Sequence, residues 1–238
     1  MYSFRAVHAS VDLAFTDRLG GVSDPPYDEL NLALASDDDP AAVADNWQLV
    51  LDDFAPGADL ADLHQVHGAT VVAAAAATGD ARAEGDGIIT GRRDLVLAVR
   101  AADCVPVLLA DPDAGQIGAV HCGRPGLAAG IVPRTVEVMR DQGARRIEAW
   151  IGPHVCGGCY EVPARMRDEV AAVEPAARAT TTWGTPSLDL GAGVRAQLEA
   201  AGVVVTDVSR CTRESPDLYS HRRDGPRAGR LAGLVVRR

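Results

Sequence analysis

The stretch GAVHCGRPGLAAGIV, residues 118–132, sets an apolar run against a glycine-rich turn, with a histidine and a cysteine at the junction. Short apolar runs closed by Gly, Pro or Asp read as buried strands. GIIT (87–90), LVLAVR (95–100), VPVLLAD (105–111), IGAVHC (117–122) and IEAWIG (147–152) all have this form. Between and after them, PAAVADNWQLVLDD (40–53), GLAAGIVPRTVEVMRDQG (126–143), PARMRDEVAAVE (163–174) and AGVRAQLEAAG (192–202) carry the apolar spacing of helices packed on a sheet. Pro133 either kinks the second of these or marks its true start. The order is not a clean strand–helix alternation, which predicts an α+β fold with mixed sheets under covering helices rather than a doubly wound parallel sheet. There is no internal repeat, and the loops at 36–40 and 55–62 are too short to separate two cores, so residues 1–238 read as one domain.

Composition narrows the function classes. Residues are 47% hydrophobic and 24% charged, an ordinary globular balance. The longest apolar stretches, VVAAAAA and VPVLLA, are too short to cross a bilayer, and the N-terminus has no leader-like pattern, so the sequence reads as soluble and cytoplasmic. A net charge of −10 argues against nucleic acid or an anionic membrane as partner. All 23 basic residues are arginine, which removes a lysine Schiff base and the P-loop lysine together. Five cysteines without a secretion signal make a disulfide framework a poor expectation and leave thiols for metal or catalysis.

Several motifs compete. Gly191-Ala-Gly193-Val-Arg-Ala196, with Asp207 beyond it, imitates a dinucleotide fingerprint, but too little chain follows for the rest of a Rossmann sheet. A helix start bearing glycines is the better reading. Cys156-Gly-Gly-Cys159 is half a zinc site or a redox pair; with no second CxxC and no opening βαβ unit, it reads as a loop with two thiols. His64-Gln-Val-His67 has helical metal spacing, yet Gly68 and ATVVA point to a turn into a strand. The stronger constellation is non-local. His67, Cys104 and His121 each stand at the end or start of a strand-like run, and two imidazoles with one thiolate suit zinc and leave a fourth position for water. Cys104 and His121 equally suit a nucleophile and its base without any metal. Arg222, Arg223, Arg227 and Arg230 surround Asp224 as an anion clamp or a solvated loop, and Arg18 precedes Gly20-Gly21, whose N–H groups can also cradle an anion.

In order along the chain, FTDRLGGVS (15–23) with LNL (30–32), QVHG (65–68), ADCVPVLL (102–109), HCG (121–123) with GL (126–127), IGP (151–153) with CYEV (159–162), and SHRRDG (220–225) resemble the YfiH/laccase-domain family, once called multicopper polyphenol oxidases. The match runs from about residue 12 to 236. Three departures stand out: the family's HAGWRGL is HCGRPGL here, placing Arg124 and Pro125 where the family has tryptophan and arginine, its Thr-Thr-Arg is Thr16-Asp17-Arg18, and its adjacent cysteines are Gly158-Cys159.

The resemblance implies a single-domain layered α/β/β/α sandwich with mixed sheets and a zinc-dependent purine nucleoside phosphorylase. Such an enzyme cleaves adenosine, inosine, guanosine or methylthioadenosine with phosphate, and deaminates adenosine as a side activity. It also implies His67, Cys104 and His121 as metal ligands and catalytic centre, with copper as a possible alternative metal. Phosphate would be held by Arg18 with Arg222 and Arg223. Asp86, Glu161 and His154 are candidate proton carriers. The partners expected are nucleoside and phosphate, on a monomer or weak homodimer. The rival readings are a copper polyphenol oxidase, a metal-independent Cys–His hydrolase on Cys104 and His121, and a non-catalytic binding module.

Overall fold

Neighbouring side chains on a strand point to opposite faces, so strands that are apolar throughout need cover on both sides. The computed structural model of the chain, which describes residues 1–76 and 82–238, shows what covers them. A five-stranded sheet runs, in spatial order, Tyr2–His8, Val11–Thr16, Leu231–Arg237, Leu95–Ala101 and Asp59–Ala61, antiparallel except for the last pair. A six-stranded sheet runs Val204–Asp207, Glu148–Ile151, Val105–Asp111, Gln116–Cys122, Gly87–Thr90 and Val71–Ala73, antiparallel inside and parallel at both edges.

Parity sorts the side chains into three cores. Leu13, Phe15, Leu97 and Val235 of the first sheet meet Ile88, Leu108, Ala119 and Trp150 of the second. Alternate residues Ala14, Val96, Ala98 and Leu234 meet Val43, Trp47, Val50 and Phe54 of helix Pro40–Phe54. On the far side Val107, Leu109, Val120 and Ile151 meet Leu127, Ile131, Val136, Met139, Val194 and Leu198 from the helices Arg124–Ala128, Ile131–Asp141 and Leu190–Ala200. The layers are therefore helix, sheet, sheet, helices, the expected α/β/β/α sandwich. Continuous apolar runs such as VPVLLAD belong to strands with a core on each face.

Local signals end the helices where they should. Asp39 caps Pro40–Phe54 by accepting the Ala41 N–H, with proline in the first turn where no N–H is needed. Gly130, at φ 75°, separates Arg124–Ala128 from Ile131–Asp141, so Pro133 lies in the first turn of a new helix and kinks nothing. Asp189 caps Leu190–Ala200 through the Ala192 N–H at 2.8 Å. The glycines of the false fingerprint lie inside that helix: a Cβ on Gly193 would sit 2.8 Å from Leu127 Cδ2. Asp207 is paired with Arg195 at 2.8 Å.

Candidate active site

Register brings the chemistry to one end of the central strands of the six-stranded sheet. His121 lies opposite Pro106, so Cys104, two residues before Pro106, is its diagonal neighbour on the same face. On the other side Gly87 pairs with Val120, which places Asp86 beside His121; the His121 N–H donates to the Asp86 carbonyl at 2.7 Å. His67 stands in the loop entering Val71–Ala73, the adjoining edge strand. His67 Nε2 is 3.8 Å from Cys104 Sγ, and the two imidazoles meet edge to face with centroids 4.7 Å apart. One donor atom from each of His67, Cys104 and His121 lies within 4.8 Å of the others, a group that can hold a metal ion. Cys122, one residue on, has the opposite parity: it is fully buried against the helices, and burial pushes its thiol well above the ordinary range.

A single buried carboxylate organises the centre. Asp86 Oδ1 takes His121 Nδ1 at 2.8 Å and the His67 N–H at 2.9 Å, while Oδ2 takes the Gly68 N–H at 2.6 Å. The ring nitrogen left to the cluster is His121 Nε2. Burial pushes the Asp86 carboxyl up, but these donors, His121 first, outweigh it and hold it below its ordinary value. Burial likewise pushes the Cys104 thiol up, yet the charge and hydrogen bonds of His121, then those of His67, bring it down to about 6. Burial pushes His121 down, whereas Cys104 and then Asp86 raise it to about 9. Without a metal the pair is thus a thiolate beside an imidazolium.

The backbone is strained here and held. His67 at φ 60° and Asp103 at φ 85° occupy the left-handed region, which costs a non-glycine residue about 1–3 kcal/mol. The Asp86 carboxylate fixes the first. Asp103 is fixed by Thr212 Oγ1 at 2.6 Å, Ser220 Oγ at 2.7 Å and the Arg222 N–H at 2.6 Å. Gln65 exchanges two 2.8 Å hydrogen bonds with the Arg100 backbone and ties the His67 loop to the other sheet. Gly123 leaves room for the His67 ring, since a Cβ there would lie 2.5 Å from His67 Cδ2.

The three donors face a cavity of about 720 Å³ into which Arg82, Arg100, Arg124, Arg222 and Arg230 also project. Arg82 and Arg100 share one buried carboxylate, Asp62. Arg124, Arg222 and Arg230 form no ion pair with a carboxylate among the described residues. Arg222 is braced instead by the Tyr160 ring, 4.4 Å from its guanidinium carbon, and by the Glu161 carbonyl at 2.8 Å. A chain of net charge −10 therefore presents a cationic wall at this one cavity.

Not every residue expected here arrives. Arg18 packs on the Tyr219 ring and bonds the Asp28 carbonyl, away from the cavity lining. Arg223 turns back on its own segment, donating to the carbonyls of Thr212, Ser215 and Leu218 and pairing with Asp224. Of the candidate proton carriers, Asp86 orients His121. His154 bonds the Gly152 carbonyl, Glu161 accepts from Trp183 Nε1, and neither lines the cavity. The loop thiols of the CxxC are not isolated either: Cys156 and Cys159 face Cys211 and Glu214. Arg100 was absent from the sequence-based site, although a charge ending the apolar strand LVLAVR is a signal that could have drawn attention to it.

A four-layer α/β/β/α fold with a His–Cys–His group at the strand ends of one sheet, opening on an arginine-lined cavity, defines a class of α+β protein with a candidate three-donor metal centre. The model of the family described as multi-copper polyphenol oxidoreductase laccase matches residues 12–238, and the chain belongs to that family. It is 55% identical over 228 residues to a purine nucleoside phosphorylase of Streptomyces coelicolor, covering 93% of each chain. A purine nucleoside phosphorylase of Streptomyces griseus is 51% identical over 237 residues, covering 96% of this chain and 95% of that one. Among solved structures, the hypothetical protein YfiH of Bacillus licheniformis superposes with a TM-score of 0.88 at 30% identity, covering 96% of this chain and 93% of its own.

Proposed function

We propose that the chain is a purine nucleoside phosphorylase acting as one domain, with His67, Cys104 and His121 as its zinc ligands and Arg222, Arg124 and Arg230 as its phosphate site. The observation that carries this reading is the set of three guanidinium groups, without carboxylate partners among the described residues, beside the His–Cys–His group in one cavity. Guanidinium forks match phosphate oxygens, and a cavity wall of low polarity strengthens each such bond. Arg18 and Arg223 have no part in the phosphate site of this proposal.

The donor set fits zinc: two imidazole nitrogens and a thiolate are ordinary zinc ligands, and Asp86 supplies the outer carboxylate that fixes a ligating histidine. When bound, zinc would supply Lewis acidity beside the cavity that these residues line. The chain's own residues do the rest. Arg222, held in place by Tyr160 and Glu161, aligns hydrogen phosphate with the anomeric carbon, and Arg124 and Arg230 share its charge. A phosphate oxygen bonds to that carbon as the bond to the purine nitrogen breaks; the purine nitrogen takes the bonding pair and the proton that hydrogen phosphate brings. The products are free purine and ribose 1-phosphate. Alignment and charge stabilisation are the principal sources of rate. The apolar wall of Leu34, Pro125 and Leu190 receives the base.

The substrates of this proposal are adenosine, inosine, guanosine and methylthioadenosine, and adenosine deamination to inosine and ammonia is its side reaction. Five free thiols suit the reducing cytoplasm. No helix among the described residues is long and apolar enough to cross a membrane.

The family's description favours a second reading, a copper phenol oxidase, since the same donors suit copper. A multicopper oxidase needs further histidine-rich sites. The other metal-capable group among the described residues, Cys156, Cys159, Cys211 and Glu214, contains no histidine.

The test is mass spectrometry of adenosine incubated with zinc-loaded protein and with its Cys104→Ala variant, each with and without phosphate. Adenine and ribose 1-phosphate are expected only with phosphate and intact Cys104. Unchanged adenosine in every tube would overturn the reading.

A further inference from the structure

Two tight turns outside the active site face each other with metal-ligating side chains at matched spacing. Cys156-Gly-Gly-Cys159 closes on itself through the Cys159 and Tyr160 N–H groups, each 3.0 Å from the Cys156 carbonyl. Cys211-Thr-Arg-Glu214 turns similarly, with the Ser215 N–H on the Cys211 carbonyl at 3.0 Å. A parallel bridge between His154 and Cys211 zips the two segments together, and the Thr212 N–H donates to the His154 carbonyl at 3.0 Å. Three sulfurs and a carboxylate oxygen consequently lie within 4.8 Å of one another. Across the gap, the Cys156 N–H points at Cys211 Sγ at 3.5 Å and the Cys159 thiol at Glu214 Oε1 at 3.4 Å.

Paired turns that each supply two ligands at i and i+3 are the arrangement of closed structural zinc sites, and the sulfurs around a tetrahedral zinc lie about 3.8 Å apart for bonds of about 2.3 Å. The four donors need only draw in slightly. A thioredoxin-like role fits poorly. Redox CxxC pairs open a helix, whereas this one closes a turn and the next helix begins only at Ala164. We propose that Cys156, Cys159, Cys211 and Glu214 form a second metal site, structural rather than catalytic, that takes zinc. Binding replaces three S–H protons, which leave to solvent, with three zinc–sulfur bonds, and the Glu214 carboxylate closes the fourth position.

The site clamps together the supports of the cavity. Tyr160, which braces Arg222, follows Cys159 directly, and Thr212, which holds the strained Asp103, follows Cys211. Arg223 wraps the same turn from the other side through the carbonyls of Thr212 and Ser215. The proposal does not depend on the activity assigned to the cavity.

The test uses the full chain carrying Cys104→Ala, which removes the only thiol of the first centre. Expected are one zinc per chain by elemental analysis after dialysis and, on loading with cobalt(II), intense thiolate-to-cobalt charge transfer with tetrahedral d–d bands. Adding Cys211→Ser abolishes both. Should that double variant fail to fold, Glu214→Gln in the same background, at an exposed position, retains the thiolate band and loses zinc faster to a chelator. A Cys104→Ala protein whose cobalt spectrum lacks thiolate charge transfer would overturn the proposal, as would an intact mass two hydrogens short, reporting a disulfide among these cysteines in protein purified without air.

Discussion

Asp86 Oδ1 lies 2.8 Å from His121 Nδ1, and the same oxygen takes the backbone N–H of His67 at 2.9 Å, so one carboxylate sets the orientation of two of the three donors. An amide in its place keeps the size but offers only one acceptor oxygen, and its NH2 group faces donors. Asp86→Asn is therefore expected to weaken zinc binding roughly 10–100-fold, the usual cost of losing an outer carboxylate. Competition with a chromophoric chelator measures this. Unchanged affinity with unchanged kcat would mean Asp86 serves the fold alone.

The thiolate–imidazolium pair of the metal-free protein sets a pH window. Cys104 is held down from 9.0 to about 6, so its contribution is complete above the ordinary thiol value and fades as pH falls through about 6. His121 is raised from 6.5 to about 9, so its contribution is complete below the ordinary imidazole value and fades as pH rises through about 9. Both describe the same pair, which is charged on both sides only between those limits. The Tm difference between metal-free wild type and metal-free Cys104→Ser should be largest inside the window and shrink below about pH 5 and above about pH 10. A difference that stays flat across that range would show that the pair is not formed.

Much of this architecture was readable from pattern. VPVLLAD and IGAVHC have no polar alternation because each strand has a core on both faces, and that continuity marks them as buried. His67, Cys104 and His121 each stood where an apolar run begins or ends, and strand ends are where an antiparallel register can gather them. What pattern could not supply was direction. Arg222 and Arg223 are adjacent arginines of identical chemistry, and only the helical turn at His221–Asp224 sends one into the cavity and the other back to its own carbonyls. The second half of the CxxC cluster was hidden for a related reason. Its partners, Cys211 and Glu214, come from a turn 55 residues away that only a tertiary bridge brings alongside.

That divergence makes the two arginines a sharp comparison. Arg222→Ala should raise the KM for phosphate roughly 10–100-fold, the equivalent of losing a charge-assisted contact of about 1.5–3 kcal/mol, while leaving Tm nearly unchanged. Arg223→Ala should do the reverse. It strips the donor from the carbonyls of Thr212, Ser215 and Leu218 and lowers stability by about 1–3 kcal/mol. Steady-state kinetics and thermal melts on the two variants separate the roles, and equal effects on KM would remove the distinction.

Gly123 offers a test of geometry without removing any donor. Its φ of −83° suits any residue, so alanine brings no backbone strain. The added methyl would stand 2.5 Å from His67 Cδ2 and 3.2 Å from Cys104 Sγ, inside van der Waals contact on both sides. The His67 ring is the group free to yield, since it is exposed while Cys104 is seated just before a central strand. Displacing the ring separates His67 from the other two donors and leaves the cores between and behind the sheets untouched. Gly123→Ala should thus lose turnover and the zinc of this centre together, keeping the zinc of the second site, while its Tm, measured without metal on both proteins, stays within about 1 kcal/mol of wild type in stability terms. Zinc retained at full stoichiometry would show that the centre tolerates the shift, and that His67 is not held as tightly as its Asp86 and Gly123 neighbours imply.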